Sequence, residues 1–247
     1  MIDTHCHLLA GIDDGPKSQG RSLELAAQLV DDGVDLVVCT PHYSRRFPTD
    51  HWDAVVRGRT LARALRVAGI AVELSVAAEV SPVLAIAAEL DALAARSIGG
   101  RFLLVELVAT TPAGFIPSLC GRLEKAHLLP ILAHPERCRA VQRHPSLIDS
   151  AREGGALVQV VAPSLIGSWG TDVAATAWRL LETGRTDLLA SDAHGRRSRP
   201  ALGAAADLVT KRLGESALHD LTRVNPGLVV QGVHPAESPQ DLGSEPA

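Results

Sequence analysis

The chain has 247 residues, 46% hydrophobic and 21% charged, with a formal net charge of −4 at pH 7. That apolar content supports a sizeable core and excludes global disorder, and the charge is too mild to argue for a nucleic-acid partner. No apolar run reaches membrane-spanning length, no signal-type segment opens the chain, and the four cysteines form no C-x-x-C pair, so a soluble cytoplasmic protein without a membrane span is expected.

Residues 2–4 open a short apolar strand that runs into His5-Cys6-His7. Residues i and i+2 of a strand share a face, so His5 and His7 present two imidazoles to one point, an arrangement suited to a metal ion. Cys6 then faces the other way, into the core. Asp13 and Asp14 follow. A helix is expected over 18–32, ended by Gly33, and a buried strand over 34–40, stopped by Pro41. The loop at 47–53 enters a helix that continues to Ala68, and a strand follows over 70–77. Further on, helix 82–95, strand 102–108, helix 112–126 and strand 129–133 alternate. Helix 145–153 stops at Gly154-Gly155, and strand 156–161, helix 173–183 and strand 186–190 complete the alternation. Helical stretches are expected at 201–213 and 215–223. Seven strands each followed by a helix argue for an α/β fold, a distorted TIM-like (β/α)7 barrel, in one domain over 1–232 with a flexible tail over 233–247.

Nearly every expected strand ends in a residue able to bind metal. The set is His5 and His7, then His42, Glu79, Glu106, His134, Asp192 and His194, with Asp14 beside the first strand. In a parallel barrel the C-terminal strand ends converge on the face that carries the active site. Buried carboxylates and imidazoles need partners, and cations supply them. Nine candidate ligands exceed the needs of one ion, so two or three divalent ions are expected, with Glu79 able to bridge two. Imidazole and carboxylate without thiolate suit manganese, iron or zinc.

These motifs resemble those of the polymerase and histidinol phosphatase (PHP) superfamily. Within it, the chain is most similar to bacterial manganese-dependent protein-tyrosine phosphatases associated with capsule and exopolysaccharide synthesis. The resemblance rests on Ile2-Asp3-Thr4-His5-Cys6-His7, Gly11-Ile12-Asp13-Asp14-Gly15-Pro16, Thr40-Pro41-His42, Ala78-Glu79, Leu104-Val105-Glu106 and His134-Pro135-Glu136-Arg137. It continues through Val158-Gln159-Val160, Ser191-Asp192-Ala193-His194 and Arg199-Pro200. It implies a trinuclear site in which His5, His7, Glu79 and Asp192 hold one ion. Glu79, Glu106 and His134 would hold a second, and Asp14, His42 and His194 a third. Arg137 and Arg199 would bind phosphate, and with His42 they form the candidate catalytic set. The implied reaction is in-line attack of a metal-bound hydroxide on a phosphomonoester, without a phospho-enzyme. The implied partner is a tyrosine-phosphorylated protein, in particular a membrane tyrosine kinase. Two departures from the family pattern are Tyr43, where a second His is common, and Val80-Ser81-Pro82, where an Arg is common.

Two alternatives keep a phosphatase but change its chemistry or substrate. One is a PHP-type phosphatase of a small phosphomonoester such as histidinol phosphate. The other is a cysteine-dependent phosphatase built on Cys39, because Cys39 to Arg45 has the C-x5-R spacing. Pro41 removes a backbone donor from that loop and no glycine tightens it, which argues against the thiolate mechanism. Arg45, Arg46, Arg196 and Arg197 follow ligand-bearing strand ends and would make the mouth basic.

Overall fold

Seven staves of parallel strand wall a distorted barrel in the computed structural model, which describes residues 1–195 and 200–237. The strands are β1 (Ile2–Cys6), β2 (Leu36–Cys39), β3 (His42–Tyr43), β4 (Glu73–Val76), β5 (Glu79–Val80), β6 (Phe102–Glu106), β7 (Leu129–Ala133), β8 (Leu157–Val161) and β9 (Leu188–Ala190). They fall into two parallel sheets, ordered β1-β2-β4 and β3-β5-β6-β7-β8-β9. β3 continues the line of β2, and β5 that of β4, so two staves are each broken once. The breaks lie at Thr40-Pro41 and at Ala77-Ala78. Proline cannot donate to a ladder, which accounts for the first break. The strands expected over 34–40 and 70–77 are therefore shorter than their apolar runs, and His42 and Glu79 head separate short strands paired with each other. The barrel closes where Asp192 N donates to His5 O at 2.9 Å and His7 N to Ala193 O at 3.0 Å.

Strand parity explains both the core and the site. Phe102, Leu104, Ile131, Ala133, Leu157 and Leu188 are buried in one cluster inside the barrel. Leu103, Val105, Leu132, Val158, Val160 and Leu189 occupy the opposite faces and pack under the helices. Following the interior face toward the C-terminal end, Leu104 gives way to Glu106, Leu157 to Gln159, and Leu188 and Ala190 to Asp192. The period of 2 that fills the barrel with hydrocarbon thus delivers polar groups to its mouth.

The helices cover the outside. The helix Gln19–Asp31 starts at Ser18, whose side chain accepts from Arg21 N. The helix His51–Ala68 starts at Asp50, which accepts from Asp53 N, and ends at Gly69 with φ 68°. The helix expected over 82–95 is two short ones, Pro82–Ala87 and Leu90–Ala94, because Ala88 is extended at ψ 156°. The Arg122 guanidinium donates to the carbonyls of Ala85 and Ala88 there, satisfying groups that an unbroken helix would have paired. At the start of the expected tail, Pro235–Glu237 form a 3-10 turn and Arg101 forks onto Glu237 at 2.7 and 2.8 Å.

Candidate metal centre

All nine expected ligands come together at the barrel mouth. Their donor atoms form four overlapping groups: His7, Asp14, His42 and His194; His5, Glu79 and His134; His5, His7 and Asp192; and His42, Glu79 and Glu106. Within each group the ligand atoms lie within 4.8 Å of one another. The residues of the first expected ion set lie together. Glu79 Oε2 stands 3.5 Å from both His5 Nε2 and His7 Nε2, and Asp192 Oδ1 stands 3.4 and 3.6 Å from the same two atoms. The second expected set is shared out differently. Glu79 and His134 lie with His5, whereas Glu79 and Glu106 lie with His42. Glu79 causes this, because its Oε1 meets His134 Nε2 at 2.9 Å and its Oε2 meets His42 Nδ1 at 2.8 Å. The third set holds together, with Asp14 Oδ1 3.5 Å from His42 Nε2 and 3.2 Å from His194 Nε2.

A second layer fixes the rings. His5 Nδ1 faces Gln159 Oε1 at 2.8 Å, and the Gln159 amide in turn donates to Thr4 Oγ1. His7 Nδ1 faces Asp13 Oδ2 at 2.8 Å. Both acceptors call for a proton on Nδ1, which leaves the lone pairs on Nε2. Asp13 also accepts from the backbone N–H groups of Gly15 and His42. A Cβ on Gly15 would run into the His7 carbonyl oxygen, so only glycine lets this loop close over the ring. Beneath the cluster, Asp3 accepts from both the backbone and the hydroxyl of Ser191. Sequence reasoning assigned no role to Asp13, Gln159 or Asp3. Gln159 did carry a signal, as the only polar residue of a strand buried along its whole length.

The backbone is bent to serve the cluster. His134 and Asp192 adopt left-handed conformations, with φ 37° and 50°. Such a conformation is rare for non-glycine residues and collects at functional sites.

The donor set fits a cation. The two Nε2 atoms of His5 and His7 lie 3.3 Å apart, each presenting a lone pair, with two carboxylate oxygens beside them. His134 Nδ1 is buried without a hydrogen-bond partner. Without a positive ion the protons of the imidazoles must do its work. Burial opposes charge on His5 and His7, yet Glu79 with Asp192, and Asp13 with Glu79, hold their pKa values above the usual one. Burial likewise opposes ionisation of Asp192, but His5 and Arg137 hold its carboxyl down at about 2. Burial and the neighbouring His7 push His194 down to about 4, leaving it neutral and able to ligate.

Residues 1–231 match the family described as "Capsular polysaccharide synthesis, CpsB/CapC". The chain belongs to the CpsB/CapC family. Among relatives of this CpsB/CapC chain, the tyrosine-protein phosphatase YwqE of Bacillus subtilis is 30% identical over 204 residues, covering 81% of this chain and 79% of YwqE. The putative tyrosine-protein phosphatase CapC of Staphylococcus aureus is 29% identical over 205 residues, with the same two coverages. A crystal structure from work on YwqE and Streptococcus pneumoniae CpsB, described as unique metal-dependent tyrosine phosphatases, superposes with a TM-score of 0.85. It is 27% identical, over 94% of this chain and 95% of that one.

The remaining arginines expected at the site of this CpsB/CapC chain divide three ways. Arg137 reaches the cluster, donating from Nη2 to Asp192 Oδ2 at 2.7 Å, and its Nε is buried without a partner. Arg199, Arg196 and Arg197 lie outside the described residues. Arg45 and Arg46 are exposed, with Arg46 5.1 Å above the Phe47 ring. Cys39 is unsuited to the thiolate mechanism, as Pro41 already argued. Cys39 is fully buried in β2, and burial followed by the charges of Asp3 and Asp13 pushes its thiol pKa up, the reverse of what a nucleophilic thiolate needs. Cys6 is a core residue, as its position between His5 and His7 predicts. Tyr43, in place of a second histidine, lies under the Arg96 guanidinium at 3.9 Å, a structural contact away from the ligand groups. No helix among the described residues is long and apolar enough to cross a membrane.

Proposed function

We propose that this CpsB/CapC chain is a metal-dependent tyrosine phosphatase that holds two to three divalent ions, manganese in the first instance, and hydrolyses phosphotyrosine in a protein. The ligands on this reading are His5, His7, Asp14, His42, Glu79, Glu106, His134, Asp192 and His194. The observation that carries it is the convergence of His5 Nε2, His7 Nε2, Glu79 Oε2 and Asp192 Oδ1 on one point, with Arg137 against the same aspartate. When bound, the ions supply Lewis-acid neutralisation of the phosphoryl oxygens and a water acidified toward neutral pH.

The chain's own residues supply position and charge. Gln159 and Asp13 keep the protons of His5 and His7 on Nδ1, so both Nε2 atoms stay available. Glu79 offers one oxygen to each side of the cluster and so suits a bridging role. His42, set between Glu79 and Asp14, ties two ligand groups together, and its catalytic part is to keep them in register. Arg137 presents a planar fork to the phosphoryl oxygens, with its unpaired Nε as a ready donor. Arg199 would be the second phosphate-binding arginine. The reaction is direct displacement at phosphorus by water. A tyrosine phenol has a pKa of about 10, so the departing oxygen needs little help from an acid, which fits a site with no dedicated donor among the nine. A membrane tyrosine kinase is the physiological partner on this account.

The test is turnover of a phosphotyrosine peptide against histidinol phosphate by the manganese-loaded protein. A higher kcat/KM for the peptide is expected. Preference for the small substrate would keep the metal centre and overturn the substrate.

A further inference from the structure

A cavity of about 400 Å³ opens beside the metal centre. Its lining mixes two chemistries. Asp14, Asp192, His194 and Arg137 offer charge and metal-binding donors, and Ile166 and Trp169 offer apolar surface. Among the described residues, eight large hydrophobic side chains are exposed, and two of them line this one cavity: Ile166 at 42% and Trp169 at 55%. Trp169 is presented by a turn between the helices Ala162–Leu165 and Thr171–Glu182. Gly167 and Gly170 bracket the turn with φ 82° and 92°, and Trp178 Nε1 donates to Leu165 O at 3.2 Å, anchoring its base.

One side chain touches both kinds of surface. The Arg137 Cζ lies 4.2 Å from the centre of the Trp169 ring, while Nη2 of the same guanidinium is on Asp192. A phosphoryl group held by Arg137 at the cluster therefore has the indole one guanidinium away. An ester substituent on that phosphoryl group would have Ile166 and Trp169 as the apolar part of the cavity lining. In an aryl ester the flat ring begins at the ester oxygen, so it reaches that wall at once. In an alkyl ester a narrow methylene stands there and leaves the wall wet.

We propose that Trp169, with Ile166, is the specificity-determining wall that selects aryl over alkyl phosphomonoesters. This rests on the phosphatase reading above and deepens it, because the wall would make a tyrosyl ester the favoured substrate class. A purely structural Trp169 would act only by holding Arg137. It would then matter equally for every phosphate.

The experiment measures binding of phenylphosphonate and methylphosphonate to the manganese-loaded full chain by calorimetry, for the native protein, Trp169→Ala, Trp169→Phe and Ile166→Ala. Trp169→Ala is expected to weaken phenylphosphonate roughly three- to tenfold, the value of one aromatic contact, and methylphosphonate less than twofold. Trp169→Phe should retain most of the aryl preference, and Ile166→Ala should lose part of it. In turnover, Trp169→Ala should raise KM for a phosphotyrosine peptide by the same factor. Equal weakening of both phosphonates, or of neither, overturns the proposal. A native chain that prefers phenylphosphonate through Trp169 yet leaves the phosphotyrosine peptide intact supports the wall and refutes the phosphatase reading.

Discussion

Glu79 is the residue on which the site turns. It is buried, comes from the shortest kind of strand, and its two oxygens face His134 on one side and His42 on the other. Burial alone would protonate it; His5, His134 and His42 keep its pKa well below the usual range. Glu79→Ala is therefore expected to abolish turnover and to lower bound metal, checked by elemental analysis alongside rate. Full activity in that variant would sink the ligand assignment. Asp13 is a different case. It touches His7 through Nδ1 and sits behind the ligands, so Asp13→Ala should leave the fold intact and weaken metal affinity about 10–100-fold. Titrating manganese into the metal-free variant measures it. His5 and His7 were legible because a period of 2 puts them on one face. Gln159 was not, because its hydrogen bond to His5 spans 154 residues and leaves no spacing in the sequence; Asp13 lies only six residues from His7, but in a loop, where no periodicity says which way a side chain turns.

At the scale of elements, the strands do two jobs with one alternation. β6 shows it plainly: Phe102 and Leu104 fill the interior, and Glu106 on the same face enters the site. Leu104→Ala should cost about 2–5 kcal/mol by leaving a cavity under the ligands, read as a fall in the denaturation midpoint. If the interior face is as tightly filled as its burial says, the loss lies in the upper half of that range. Apolar periodicity located most of the strands and helices because burial fixes it. It missed the splitting of two staves, since the stop at Pro41 says nothing of the strand that resumes at His42, and no residue of the second apolar run marks the break at Ala77-Ala78. It also read 82–95 as one helix, since the carbonyl acceptors taken up by Arg122 come from 34 and 37 residues away.

Taken whole, the molecule gathers its candidate metal-binding side chains into one place. Five histidines and four carboxylates converge at one barrel mouth, above an interior layer of hydrocarbon that includes Phe102, Leu104, Ile131, Leu157 and Leu188. Parallel strands make this geometry unavoidable once strand ends carry ligands, which is why the candidate site could be read from the sequence before the barrel was seen. The exposed Trp169 could not, since a lone tryptophan between two glycines says nothing of what it faces. The account also binds stability to the ions: anything held by the folded chain alone stabilises it. The most direct measurement of the central claim is phosphotyrosine-peptide hydrolysis by the full chain before chelation, after chelation, and after manganese is returned. The account predicts loss of turnover with a lower melting temperature on chelation, and recovery of both on re-addition. Undiminished turnover in the chelated protein would contradict it.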